Sequence, residues 1–131
     1  MVIYALEKVS PYDELAQHLL HFLERGFLSG IVSTVVETEV LVKPLMERNQ
    51  LALDKAELFF RESLNLTVRA FDHALASRAA QVMANSRLRL PDAIILATGL
   101  EEHCDAVISN DHEMARRAIG IQCLLLDNYI S

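Results

Sequence analysis

Leu90-Pro91-Asp92-Ala93-Ile94-Ile95-Leu96-Ala97-Thr98, followed shortly by Ala106-Val107-Ile108-Ser109-Asn110-Asp111, decides how this chain folds. Pro91 and Asp92 suit the first turn of a helix, expected over 93–103. Proline's fixed φ is already helical there, and a carboxylate complements the positive end of the helix dipole. Residues 106–109 are apolar on both alternating faces, the pattern of a strand buried in a parallel sheet. Asn110-Asp111 then starts a short helix, because both side chains cap well. One acid, Asp92, therefore opens a helix, and another, Asp111, stands just beyond a buried strand.

The same alternation runs through the rest of the chain. Residues 2–4 are a short β-branched and aromatic strand. Ser10-Pro11 opens a helix with Leu15, Leu19, Phe22 and Leu23 as its apolar stripe, stopped by Gly26. Gly30 precedes a strand over 31–33. Helices follow over 34–48, ending near Asn49, and over 54–63. A strand over 64–68, a helix over 72–85 and a last apolar strand over 121–126 complete the pattern. Strands alternating with helices predict an α/β fold, a parallel sheet with helices on both faces. With 131 residues and no repeat, low-complexity tract or Pro/Gly-rich linker, a single domain over 1–131 is expected.

Composition narrows the chemistry. Hydrophobic residues make up 52% and charged residues 23%, so the chain forms a core. Twelve Lys and Arg against eighteen Asp and Glu give a net charge of −6, which argues against holding nucleic acid by bulk charge. No Trp and only 6% aromatic residues argue against a base-stacking platform. Nucleic-acid chemistry here needs cations between acidic protein and acidic substrate. Cys104 and Cys123 are too few for a disulfide framework and read as reduced cytosolic thiols. No apolar run is long enough to span a membrane, and the first residues lack the basic region of a signal peptide. A cytoplasmic protein without membrane contact is the expectation.

Several site classes find no support. The only glycines are Gly26, Gly30, Gly99 and Gly120, from which neither GxGxxG nor GxxxxGK[ST] can be written. GxSxG is absent. His103-Cys104 has no companion at zinc-ligand spacing, and His18 and His21 read as surface histidines. A phospho-accepting receiver domain needs a lysine near its last strands, whereas Lys8, Lys43 and Lys55 all lie in the first half.

Three acids fall where strands hand over to helices: Asp92, Asp111 and Glu39. In open α/β sheets, sites gather beyond the carboxyl ends of the strands. Carboxylates gathered there repel one another unless a divalent cation neutralises them, and hard oxygen ligands suit Mg²⁺ or Mn²⁺. Each acid also has a local explanation, as first-turn charge or N-cap. Thr34-Val35-Val36-Glu37 fits a capping box, which sends Glu37 back to the helix start. Glu39 points roughly 200° away around the helix and is the better ligand candidate. Arg69, Arg87, Arg89, Arg116 and Arg117 are candidate phosphate contacts or solvated surface cations.

The stretch from Leu90 to Thr98, with that from Ala106 to Asp111, resembles the second half of a PIN domain. Val2-Ile3-Tyr4-Ala5-Leu6-Glu7 resembles the end of that family's first strand, and Ser33 to Val40, with Glu39, resembles its second acidic motif. Within the family the chain is most similar to VapC-type toxins of prokaryotic toxin–antitoxin pairs. The resemblance implies a parallel sheet in the order 3-2-1-4-5 and metal-dependent endonucleolytic cleavage of RNA. It implies that Glu39, Asp92 and Asp111 are catalytic and hold Mg²⁺ or Mn²⁺, with Ser109 and Asn110 beside the substrate. It also implies a homodimer and an antitoxin partner. Large apolar residues on the first two helical segments, including Phe22, Phe27, Leu41, Leu45 and Met46, agree with an interface.

The family's first acid is an Asp just before an Asn at the end of strand one. Here Met1 stands next to Val2, so that Asp falls upstream of the given sequence, and Glu7 lies too far past the strand to replace it. The expectation is a ribonuclease impaired in this form. The alternative is a non-catalytic PIN-fold module that binds a protein partner or RNA.

Overall fold

Apolar side chains at successive positions drive a strand into the middle of a parallel sheet, and Ala106–Ser109 is buried at all four residues. The computed structural model describes residues 2–3, 21–109 and 112–125. Its strands are β1 (Val2–Ile3), β2 (Gly30–Ser33), β3 (Leu66–Arg69), β4 (Ala106–Ser109) and β5 (Gln122–Leu125). All neighbours pair in parallel, in the order β3-β2-β1-β4-β5. Val2 stands opposite Ile31 on one side and Val107 on the other, and Ile3 opposite Ile108. The strand order reverses between β1 and β4, the topological switch point at which open α/β sheets place their sites.

The helices are α1 (Thr34–Met46), α2 (Gln50–Glu62), α3 (His73–Ser86), α4 (Leu90–Glu101) and α5 (His112–Arg117). A helical turn over 21–24 ends at Gly26, whose φ of +79° is open to glycine at no steric cost. Leu23 of the expected apolar stripe is buried, whereas Phe22 is exposed. The start of that helix, with Ser10, Pro11, Leu15, His18 and Leu19, lies outside the described residues, as do Asn110 and Asp111.

Element boundaries move where a cap competes with the apolar pattern. The second helical segment starts at Gln50, four residues ahead of the expectation, because the Asn49 side chain accepts from Ala52 N at 3.0 Å. Pro44 removes one donor from the last turns of α1, which stops at Met46, and Arg48 turns the chain at φ 53°. Helix α4 starts at Leu90, so Pro91 lies inside its first turn, and it ends at Glu101, two residues short of the expectation. His103 adopts φ 53° and leads the chain away.

The core forms around α4. Residues Ala93, Ile94, Ile95, Leu96, Ala97, Thr98 and Gly99 are all buried. They pack against α3 and against β1, β2 and β4. Leu75, Ala79 and Val82 supply the buried face of α3 at helical spacing, and Met114 of α5 closes the far side.

Ion pairs tie the edge to this core. Arg69, at the end of edge strand β3, donates through Nε to Glu102 at 2.6 Å and through Nη1 to Asp72 at 3.0 Å and to the Ala70 carbonyl at 2.7 Å. Arg78 of α3 pairs with Glu101 at 2.9 Å. Asp72 also caps α3, its Oδ1 accepting from Leu75 N at 3.0 Å. That cap, followed by Arg69, holds the Asp72 carboxyl below its ordinary value. A depressed folded-state value contributes stability that is present above the unfolded value of about 3.9 and lost as pH falls through the folded one. We therefore expect Asp72→Ala to lower the melting temperature at neutral pH and to flatten its decline below about pH 4, read by thermal melts against pH.

Candidate active site

Two buried serines mark the carboxyl edge of the central strands. Ser33 ends β2 opposite Arg69, and Ser109 ends β4 opposite Leu125. Both lie one residue past the Ile3 row, on either side of β1. Ser33 passes directly into α1, its Oγ accepting from Val35 N at 3.1 Å. The hydroxyl of Thr34 instead accepts from Phe71 N at 3.2 Å. The cap is thus Ser33, and the expected box between Thr34 and Glu37 does not form at this helix start. Glu37 is half-buried and Glu39, in the second turn, is exposed.

Asp92 lies in the first turn of α4 with its side chain 13% exposed. Arg89 Nη2 lies 3.6 Å from its Oδ2, and the Arg89 side chain is 83% exposed. The first-turn peptide dipoles and Arg89 both favour a negative charge at this point. Helices α1 and α4, which carry Glu39 and Asp92, touch each other. Asn110 and Asp111 lie outside the described residues, between Ser109 at the end of β4 and His112 at the start of α5. Among the described residues, no three His, Cys, Asp or Glu side chains are grouped to hold a metal. The expected trio includes Asp111, so only Glu39 and Asp92 of it are described. As donors the three acids fit Mg²⁺ or Mn²⁺, since all are hard carboxylate oxygens.

The candidate phosphate contacts separate on inspection. Arg69 is committed to Asp72, Glu102 and Ala70 and serves the fold. Arg116 and Arg117 pair with Glu113, and Arg117 also donates to the Arg87 carbonyl. Arg89, beside Asp92, stands mostly in solvent next to a candidate acid. Burial pushes the Cys104 thiol up, away from the reactive thiolate. An acidic and apolar groove lined by Glu24, Lys55, Leu58, Phe59, Glu62 and Leu64 lies elsewhere, near the start of β3. Among the described residues no helix is long and apolar enough to cross a membrane.

A parallel α/β sheet with its switch point beside β1, and with an acid heading the most buried helix, defines the class. The PIN domain family model matches residues 2–120, and the chain belongs to that family. In shape the chain is similar to FitAcB from Neisseria gonorrhoeae, with TM-score 0.69 and 14% identity over 96% of this chain and 98% of that one. It is similar to VapBC2 from Rickettsia felis, solved bound to a DNA fragment from its promoter, with TM-score 0.65 and 12% identity over 94% and 97%. A toxin–antitoxin complex from Klebsiella pneumoniae gives TM-score 0.53 and 21% identity over 75% and 74%. No curated protein matches the chain.

Proposed function

We propose that the chain is a metal-dependent endoribonuclease of the VapC toxin type. The observation that carries this reading is the PIN family match across residues 2–120, with Asp92 set in the first turn of α4 where that family's motif falls. Glu39, Asp92 and Asp111 would hold Mg²⁺ or Mn²⁺. A divalent ion bound there supplies a water nucleophile at neutral pH and offsets charge on the scissile phosphate and leaving oxygen.

The chain's own residues do the positioning. Asp92 is fixed by a helix whose next seven residues are buried, so its carboxylate cannot drift. Arg89 orients Asp92 and extends into solvent, where its guanidinium meets the RNA backbone. Ser109 is 1% exposed, which supports a role in holding the end of β4 beside the substrate. Direct contact with the substrate then falls to Asn110. Glu39, exposed on α1, would supply a further carboxylate from the helix that packs against α4.

A further reading, a module that binds a partner, draws on a different face. Val42, Leu45 and Met46 form an exposed apolar stripe on α1, and Leu51 on α2 is exposed too. Surfaces of this kind mark protein contacts. We assign them to a homodimer and to an antitoxin that covers the site. Static light scattering at high micromolar concentration is expected to give twice the chain mass. A strict monomer would remove self-association.

Activity is tested on single-stranded RNA with Mn²⁺. Asp92→Asn is expected to lower cleavage by about 100-fold or more and to abolish the rise in melting temperature that Mn²⁺ gives the unsubstituted chain. The 131-residue polypeptide, with three of the family's acids, is expected to cleave more slowly than a version extended before Val2 by a segment ending in Asp-x-Asn. Equal rates would show that a fourth carboxylate is not needed. Cleavage by neither, with no effect of Asp92→Asn on Mn²⁺ binding, favours the non-catalytic module.

A further inference from the structure

Low aromatic content argues against a multi-ring platform for bases, yet among the described residues a ring stands at the sheet's carboxyl edge. Phe71 is 40% exposed on the loop of residues 70–72, between the end of β3 and the start of α3. Each residue of this short loop is held. The Ala70 carbonyl accepts from Arg69 Nη1 at 2.7 Å. Phe71 N donates to Thr34 Oγ1 at 3.2 Å, which ties the loop to the first residue of α1. Asp72 receives both Leu75 N and Arg69 Nη1 at 3.0 Å. Arg69 is anchored in turn on Glu102 at 2.6 Å.

Phe71 is thus a half-exposed ring on a backbone held at each of its three loop residues. Fixing the loop in advance removes the ordering cost that a free loop incurs on binding. Its position is also specific. Thr34 adjoins Ser33, the residue that ends β2 beside β1. With strands about 4.8 Å apart, β3 lies two strand spacings, about 10 Å, from the axis of β1. A base that reaches Phe71 therefore belongs to a nucleotide adjacent to, or one beyond, the phosphate held at the switch point.

We infer that Phe71 is a stacking contact for a base of single-stranded RNA, and that it sets which side of the cleavage point is gripped. This rests on the ribonuclease reading of the site. Stacking on an aromatic ring tolerates any base, because every base has a π face. It contributes equally in the ground and transition states, so it governs KM more than kcat.

The test uses the 131-residue chain and an oligouridine carrying one 2-aminopurine, with Ca²⁺ in place of Mn²⁺ at low salt, so that a hard cation still bridges acids and RNA while binding is read apart from turnover. Binding is expected to quench the 2-aminopurine fluorescence. Phe71→Leu keeps the apolar bulk and is expected to bind roughly 5- to 150-fold more weakly, with the quench lost. Phe71→Trp is expected to retain both. Thermal melts of each variant confirm that it is folded. With Mn²⁺, the Phe71→Leu loss is expected in KM. Unchanged affinity, quench and KM in Phe71→Leu, alongside cleavage that still depends on Asp92, overturns the stacking role and leaves the ribonuclease reading intact. A change of molecular mass by light scattering in Phe71→Leu, without a change in RNA affinity, also overturns it and assigns the ring to a protein interface. If the unsubstituted chain neither binds nor cleaves RNA, both readings fall.

Discussion

The packing of α4 against the central strands is the constraint on which the rest of the structure depends. From Ala93 to Gly99 no residue of this helix reaches solvent, and it contacts α3 together with β1, β2 and β4. A helix buried on every side has no freedom to rotate or slide, because either motion opens voids that the core cannot fill. Its first turn is therefore a fixed point in the molecule, and Asp92 stands on it. The backbone of that turn is held by the packing, and Arg89 lies 3.6 Å from the Asp92 carboxylate.

The sheet extends that constraint to its edge. β2 and β4 end in buried serines on the two sides of β1, and both strands pass almost at once into helices. On the outer side, Arg69 ties edge strand β3 to Asp72 at the start of α3 and to Glu102 at the end of α4. The loop carrying Phe71 lies between Arg69 and Asp72. The helix start that carries Asp92 and the loop that carries Phe71 thus belong to one packed scaffold, the first through α4 and the second through Arg69.

Much of the fold was legible in the chain because burial was so complete. Ala106–Ser109 has no polar position before its last residue, and nothing but a covered parallel strand suits it. The strand order follows the family resemblance and appears in the pairing. What escaped was decided by long-range partners. Ser33 and Thr34 both cap helices well, and the choice between them depends on Phe71, 37 positions away, which takes the Thr34 hydroxyl. Arg69 looks like any phosphate-seeking cation until Glu102, 33 positions on, is placed beside it. Asn49 reads as a terminator, yet its side chain starts the next helix. Composition counts rings and not their placement, so Phe71 was invisible to it. Asp92 could be placed from its proline-led helix start, and Glu39 was separated from Glu37 by its direction around the helix, although the box meant to hold Glu37 does not form at Thr34.

The central claim is that acids from separate elements meet at the carboxyl edge of β1 and β4 to hold one divalent cation. Anomalous diffraction from a crystal soaked in Mn²⁺ tests it most directly. A single strong peak is expected, with carboxylate oxygens of Asp92, Asp111 and Glu39 about 2.0–2.6 Å from it. No peak at that edge, or Asp92 and Asp111 carboxylates more than about 10 Å apart, a gap that ligand distances of this size cannot bridge, would contradict it.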